Sequence, residues 1–121
     1  MPNTPAIRFA ETGGPAVLQI TEVELAEPGP GQALVGVHAS GVNFIDTYHR
    51  SGLYPVELPF VPGSEGAGIV EAVGADVTDV AVGDRVAWVG VPGSYAGRVL
   101  APTEALMPST RGFSGSSAKA V

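Results

Sequence analysis

Most of the chemistry this chain can offer sits in one short stretch: Asn43, Asp46, Tyr48, His49 and Arg50, with Tyr54 soon after. An amide, a carboxylate, an imidazole and two phenols on one wall suit a small-molecule pocket, with an aromatic face and a few hydrogen-bonding groups. The same spacing also fits a capped helix that puts Tyr48 in the core and His49 in water. The residues alone leave both readings open. Metal chemistry is poorly served. His38 and His49 form neither a His-x-His nor a His-x-x-x-His pair, and two imidazoles do not make a zinc site. With no cysteine in the sequence, thiolate-ligated metals and disulfides are both excluded.

A second string, Gly63-Ser64-Glu65-Gly66-Ala67-Gly68, looks at first like a phosphate loop. Its order is G-x-x-G-x-G, whereas dinucleotide binding calls for G-x-G-x-x-G between a strand and a helix. Here the glycines follow Pro62 and lead into an apolar run, so close backbone packing in a strand is the expected role. Glu65, flanked by small residues, is expected to be solvated or held by a buried partner.

These groups need elements to position them. Asn43 is a good N-cap, Asp46 lies in the first turn where the helix dipole favours negative charge, and Gly52 can end the helix. One short helix near 43–51 is predicted, with Phe44, Ile45 and Tyr48 as its apolar face. Pro55, Pro59 and Pro62 then keep the chain extended. Strands are predicted over 7–9, 17–25, 33–39, 67–73, 85–91 and 95–100. The clearest is 33–39, where Val35, Val37 and Ala39 alternate. Along 17–25 the apolar phase changes between Ile20 and Val23, which predicts a bulge or bend near Thr21 and Glu22. His38, alternating with Val37, is expected to be exposed or hydrogen-bonded. Beyond Met107 the pattern decays into a Ser-, Gly- and Ala-rich tail anchored only by Phe113. The domain is therefore drawn over 1–108, with 109–121 as a frayed tail or unfinished helix.

Composition agrees. Seventeen valines, punctuated by 17 glycines and 11 prolines in 121 residues, describe one mostly-β domain of short strands and turns. Twelve acidic residues against six basic ones give a net charge of −6, and the basic residues are scattered. Nucleic acid and anionic membrane surfaces are therefore unfavourable partners. No spanning helix or secretory signal is visible, and with the absent cysteines this fits the cytoplasm.

Several strings occur in an order that resembles a known family: Gly41-Val42-Asn43, Asp46, Arg50-Ser51-Gly52-Leu53-Tyr54-Pro55, the glycine run after Pro62, Val82-Gly83-Asp84-Arg85-Val86 and Gly93-Ser94-Tyr95-Ala96. From about Ile7 to Pro108 they resemble the first domain of zeta-crystallin-like quinone oxidoreductases, the zinc-free branch of the medium-chain dehydrogenase/reductase superfamily. The resemblance implies a GroES-like, partly open β-barrel forming the substrate side of a cleft, with no Rossmann domain in this chain. It implies an NADPH:quinone oxidoreductase whose substrate is a quinone or a similar small planar electrophile. Asn43, Ile45 and Asp46 would lie at the nicotinamide end of NADPH, and Tyr48 and Tyr54 at the quinone. Zinc-dependent relatives carry Cys where this chain has Asn43 and His where it has Ser64, so no metal is expected.

The resemblance further implies that a nucleotide-binding domain follows in the complete enzyme, or is supplied separately. A chain without it is expected to be inactive alone, as the product of a truncated or split gene. The alternatives are a stand-alone GroES-like binding module and a non-functional truncated product.

Overall fold

The computed structural model describes residues 3–109. The expected tail over 109–121, with Phe113, lies outside them apart from Ser109. Among the described residues there are seven strands and one α-helix: β1 (Asn3–Arg8), β2 (Gln19–Glu24), β3 (Gln32–Ser40), α1 (Phe44–Ser51), β4 (Glu65–Val73), β5 (Arg85–Val89), β6 (Arg98–Pro102) and β7 (Leu106–Pro108). Single 3₁₀ turns lie at Pro15–Val17 and Thr103–Ala105. β1 and β2 form a two-stranded ribbon, and the other strands form a five-stranded sheet in the order β6-β3-β4-β5-β7. Every pairing is antiparallel. Both sheets are open, and isolated bridges from Ala6 to Ala96 and from Phe9 to Phe60 tie the ribbon to the rest. The mostly-β, partly open architecture with one short helix is as expected.

The core is built from the valine-rich inner faces of β3, β4, β5 and β6, where Val35, Val70, Val86, Val99 and Ala101 close around Trp88. The glycine run serves that packing, as its position ahead of a strand predicts. A Cβ on Gly66 would stand 2.7 Å from both the Ala39 carbonyl oxygen and Trp88 Cζ2, and one on Gly68 would collide with the Gly36 carbonyl oxygen. Backbone and indole therefore approach β4 where a side chain would hold them off.

Three local expectations need correction. The β1–β2 register runs unbroken from Asn3↔Glu24 to Arg8↔Gln19, so there is no bulge at Thr21 and Glu22. Ile20 simply faces solvent, 86% exposed, opposite Ile7. An apolar residue need not be buried, and only the assumption that it must be created the phase conflict. Register shifts occur instead between β3 and β4, at Leu34/Val35 and Val37/Ala39. The segment 95–97 does not begin a strand, and β6 starts at Arg98. Finally, Leu106–Pro108 forms β7 against β5, where no strand is predicted.

Candidate functional site

Helix α1 begins and ends where its caps predict. The Asn43 N–H donates to Asp46 Oδ2 at 3.0 Å, and the Asp46 N–H donates to the Asn43 carbonyl at 3.0 Å. Gly52 closes the helix in the left-handed conformation at φ +89°. Beyond the caps, the helix faces differ from the pattern. Phe44 is 83% exposed, Ile45 and Tyr48 are each more than a third exposed, and the one buried residue of α1 is Asp46. The helix is held from its polar side: Arg50 Nε donates to the Gly13 carbonyl at 3.2 Å, and the Gly13 N–H donates to the Arg50 carbonyl at 2.8 Å.

Opposite Asp46 stands a residue that the helix pattern could not reveal. The Tyr95 hydroxyl donates to Asp46 Oδ2 at 2.8 Å. Backbone bonds fix this approach, because the N–H groups of Val91, Gly93 and Tyr95 donate to the carbonyls of Ser64, Gly63 and Pro62 at 2.9–3.1 Å. Gly63 is at φ +96°, and a Cβ there would meet Ser94 and Tyr95. Burial, with the hydrogen bond to Asp46 and its negative charge, pushes the Tyr95 phenol from its ordinary 10 up to about 12. Tyr95 therefore stays a donor to Asp46 across the physiological range.

Two cavities meet at Asp46. A chamber of about 330 Å³ is lined by Ile45, Asp46, His49, Val56, Phe60 and Ser64, among others. A smaller cavity of about 210 Å³ is lined by Val42, Asn43, Asp46, Thr47, Arg50 and Tyr95, with Leu18 and Pro62. Phe60 forms the chamber's aromatic wall. It is pinned by reciprocal backbone bonds to Phe9 at 2.9 and 3.0 Å and stacked edge-on by His49, with centroids 5.4 Å apart. His49 is thus a half-buried chamber residue, not a solvated one. Tyr48 and Tyr54 pack edge-to-face with centroids 5.2 Å apart, and neither lines the chamber or the smaller cavity. Asn43, Ile45 and Asp46 are therefore brought together at the helix start, and the two tyrosines stand beside them as a partly exposed pair.

Glu65 is half-buried over Gly41, where a Cβ would strike its carboxylate, and its backbone carbonyl accepts from the Gly41 N–H at 3.0 Å and from Ser94 Oγ at 3.0 Å. Among the described residues no group of three His, Cys, Asp or Glu side chains is placed to hold a metal ion, and no helix is long and apolar enough to cross a membrane.

Comparison with known proteins follows the same outline. A quinone oxidoreductase from Pseudomonas aeruginosa is 56% identical over 92 residues, covering 74% of this chain and 28% of that protein. The crystal structure of a quinone oxidoreductase from Pseudomonas syringae superposes with a TM-score of 0.87 at 46% identity, covering 91% of this chain and 35% of its own. An Escherichia coli quinone oxidoreductase solved with NADPH superposes at 0.83 with 40% identity, covering 86% of this chain and 32% of its own. The chain thus spans about a third of the length of these relatives. Residues 29–111, which run from the turn before β3 past the end of β7, match the model of the alcohol dehydrogenase GroES-like domain. The open antiparallel sheet, the single capped helix and the glycine-packed entry to β4 are what that match covers, and the chain belongs to the alcohol dehydrogenase GroES-like domain family.

Proposed function

We propose that this chain forms the substrate-side wall of an NADPH-dependent quinone oxidoreductase that works without zinc. In this reading 1–108 is the wall, and 109–121 leads towards a nucleotide-binding domain. The observation that carries it is the junction of two cavities at the buried Asp46, in a chain similar to proteins named quinone oxidoreductases. The smaller cavity has room for a single ring and its amide, lined by the Asn43 amide and the Asp46 carboxylate. Among the described residues no glycine-rich loop at a helix N-terminus offers the phosphates a cradle, and Arg50 Nε is engaged by Gly13. Asn43 and Asp46 line this cavity and Ile45 the chamber beside it, and in this reading the three hold the nicotinamide end of NADPH.

When bound, NADPH supplies a hydride. The chain's task is positioning: it holds a planar electrophile against that ring and keeps water out. Tyr48 and Tyr54 offer the quinone an aromatic face and two hydroxyls. Reduction adds a hydride and a proton, and the charge arriving with the hydride spreads into an aromatic ring. Hydrogen bonds then suffice where an unactivated ketone needs a Lewis acid.

The test is a chimera in which this chain replaces the matching stretch of the Pseudomonas aeruginosa relative. NADPH-dependent quinone reduction is expected, with turnover lowered by Asn43→Ala or Tyr54→Phe and the fold retained. A folded chimera that binds NADPH but leaves quinones untouched would refute the reading. The isolated chain should neither reduce quinones nor bind NADPH at micromolar concentration. Calorimetry that finds such binding would overturn that part.

A further inference from the structure

Asp46 is 6% exposed, and among the described residues no cation pairs with its carboxylate. Arg50, one turn further on, gives its Nε to the Gly13 carbonyl at 3.2 Å. Two donors hold Asp46 Oδ2 instead: the Asn43 N–H at 3.0 Å and the Tyr95 hydroxyl at 2.8 Å. The first lies three residues back in the same cap, so it closes the helix start on itself and ties it to nothing else. The second reaches Asp46 from 49 residues away, and among the described residues Tyr95 is the one side chain that bonds this carboxylate.

Tyr95 is itself braced by backbone bonds on two sides. Its N–H donates to the Pro62 carbonyl at 3.0 Å, and its carbonyl accepts from the Ile7 N–H at 2.9 Å. The half-buried ring therefore stands on a fixed segment, and its hydroxyl carries that position to the start of α1. Asn43, Asp46 and Tyr95 all line the smaller cavity, and Tyr48 and Tyr54 do not. A contact residue keeps its geometry only when hydrogen bonds from behind lock its own rotamer. With the Asn43 N–H alone, the Asp46 carboxylate is free to turn, and the cap that depends on it loosens.

We infer that Tyr95 is a positioning residue for the nicotinamide: its hydroxyl, acting through Asp46 Oδ2, fixes the Asn43–Asp46 cap that holds that ring. The inference rests on the reading of this cavity as the nicotinamide site, and it adds the residue that supports the site from across the fold. Hydride transfer is steep in geometry, and a displacement of about 1 Å can cost about a hundredfold. The quinone, placed at Tyr48 and Tyr54, is bound independently of Tyr95.

The first test needs no cofactor. In the 121-residue chain, Tyr95→Phe should speed hydrogen exchange of the Asn43 amide at least tenfold, because the acceptor of that N–H is no longer held. Exchange of the Gly13 amide, bonded to the Arg50 carbonyl near the far end of α1, should stay within twofold. The second test uses the chimera. At saturating NADPH and quinone, Tyr95→Phe should slow hydride transfer at least tenfold in a single turnover, with the quinone KM within twofold. Combined with Asp46→Asn, it should be no slower than the slower single variant, since the two residues act as one unit. If Tyr95→Phe does not fold, 3-fluorotyrosine at position 95 of the chimera takes its place. Its fluorine resonance should move when NADPH binds and stay put with quinone alone, and a resonance indifferent to NADPH would overturn the inference. Asn43 and Gly13 exchange raised alike, or hydride transfer unchanged in the folded variant, would overturn the positioning role and leave the substrate-side reading standing. An unaltered chimera that binds NADPH and leaves quinones untouched would overturn both.

Discussion

Adding one methyl group at Gly66 tests whether the glycine run exists for packing. Gly66 lies opposite Ser40 on β3 and Trp88 on β5. A Cβ there would come within 2.7 Å of the Ala39 carbonyl oxygen and of Trp88 Cζ2, and within 3.2 Å of Trp88 Cε2. The first is backbone in a paired strand, and the others belong to a fully buried indole, so no flexible side-chain end can yield. Forcing a methyl into such a core costs about 1–3 kcal/mol. Against this, replacing Gly by Ala narrows the unfolded ensemble and returns about 0.4–1 kcal/mol. Gly66→Ala should therefore destabilise the chain by about 1–2 kcal/mol, lowering Tm by roughly 5–15 °C for a domain of this size. Gly14→Ala is the control, because Gly14 has φ −78° and nothing within 4 Å of its missing Cβ. It should leave Tm unchanged or raise it slightly. Thermal unfolding by circular dichroism reads both, and the near-ultraviolet signal of Trp88, the chain's one tryptophan, reports the core directly. If Gly66→Ala melted level with Gly14→Ala, the close-approach account of the glycine run would be wrong.

The remaining predictions concern the helix and its ties. Tyr95 is raised from 10 to about 12, so between those values the folded state holds a proton that the unfolded state has lost. Its contribution to stability is complete below pH 10 and disappears as pH rises through 12. A tyrosinate absorbance titration should show one of the three tyrosines ionising last, and Tyr95→Phe should remove that step. Gly52→Ala forces a Cβ into the left-handed cap at φ +89° and should cost about 1–2 kcal/mol, while Gly52→Asn should cost less, both read from urea midpoints. Arg98 Nε pairs with Glu71 Oε1 at 2.9 Å with both side chains about 40% exposed, so Glu71→Gln should shift the midpoint by no more than about 1 kcal/mol, and less in high salt.

What the sequence made legible here was local. Asn43, Asp46 and Gly52 mark the ends of α1 because each acts through backbone groups within a few residues of itself. Val35, Val37 and Ala39 mark β3 because alternation is a property of one strand. What stayed hidden depends on distant partners. Tyr95 lies 49 residues from Asp46, and only the lacing of 91–95 onto 62–64 brings its hydroxyl to the carboxylate. β7 was missed for a related reason: a three-residue edge strand is too short to show a period, and it forms because β5 offers it a free edge. The chamber role of His49 also depends on Phe60, which is itself placed by Phe9 across the molecule.

Helix α1 inverts the usual arrangement. An amphipathic helix is normally held by its apolar stripe and turns its charges to water. Here Val42 and Phe44 at the helix start face outward, and the buried group is a carboxylate with one oxygen unsatisfied. Neither feature helps the domain fold: the exposed Val42 and Phe44 side chains gain nothing from burial, and an unpaired buried carboxylate oxygen costs about 1–3 kcal/mol or more. Natural sequences keep local and global preferences consistent except where function demands otherwise, so two violations on one eight-residue helix point to the same place. The polar ties explain how the arrangement survives. Tyr95, the Asn43 N–H and the Gly13–Arg50 bonds hold α1 by directional contacts, which fix its orientation without consuming its apolar surface. Those contacts leave the side chains of Val42 and Phe44 uncovered.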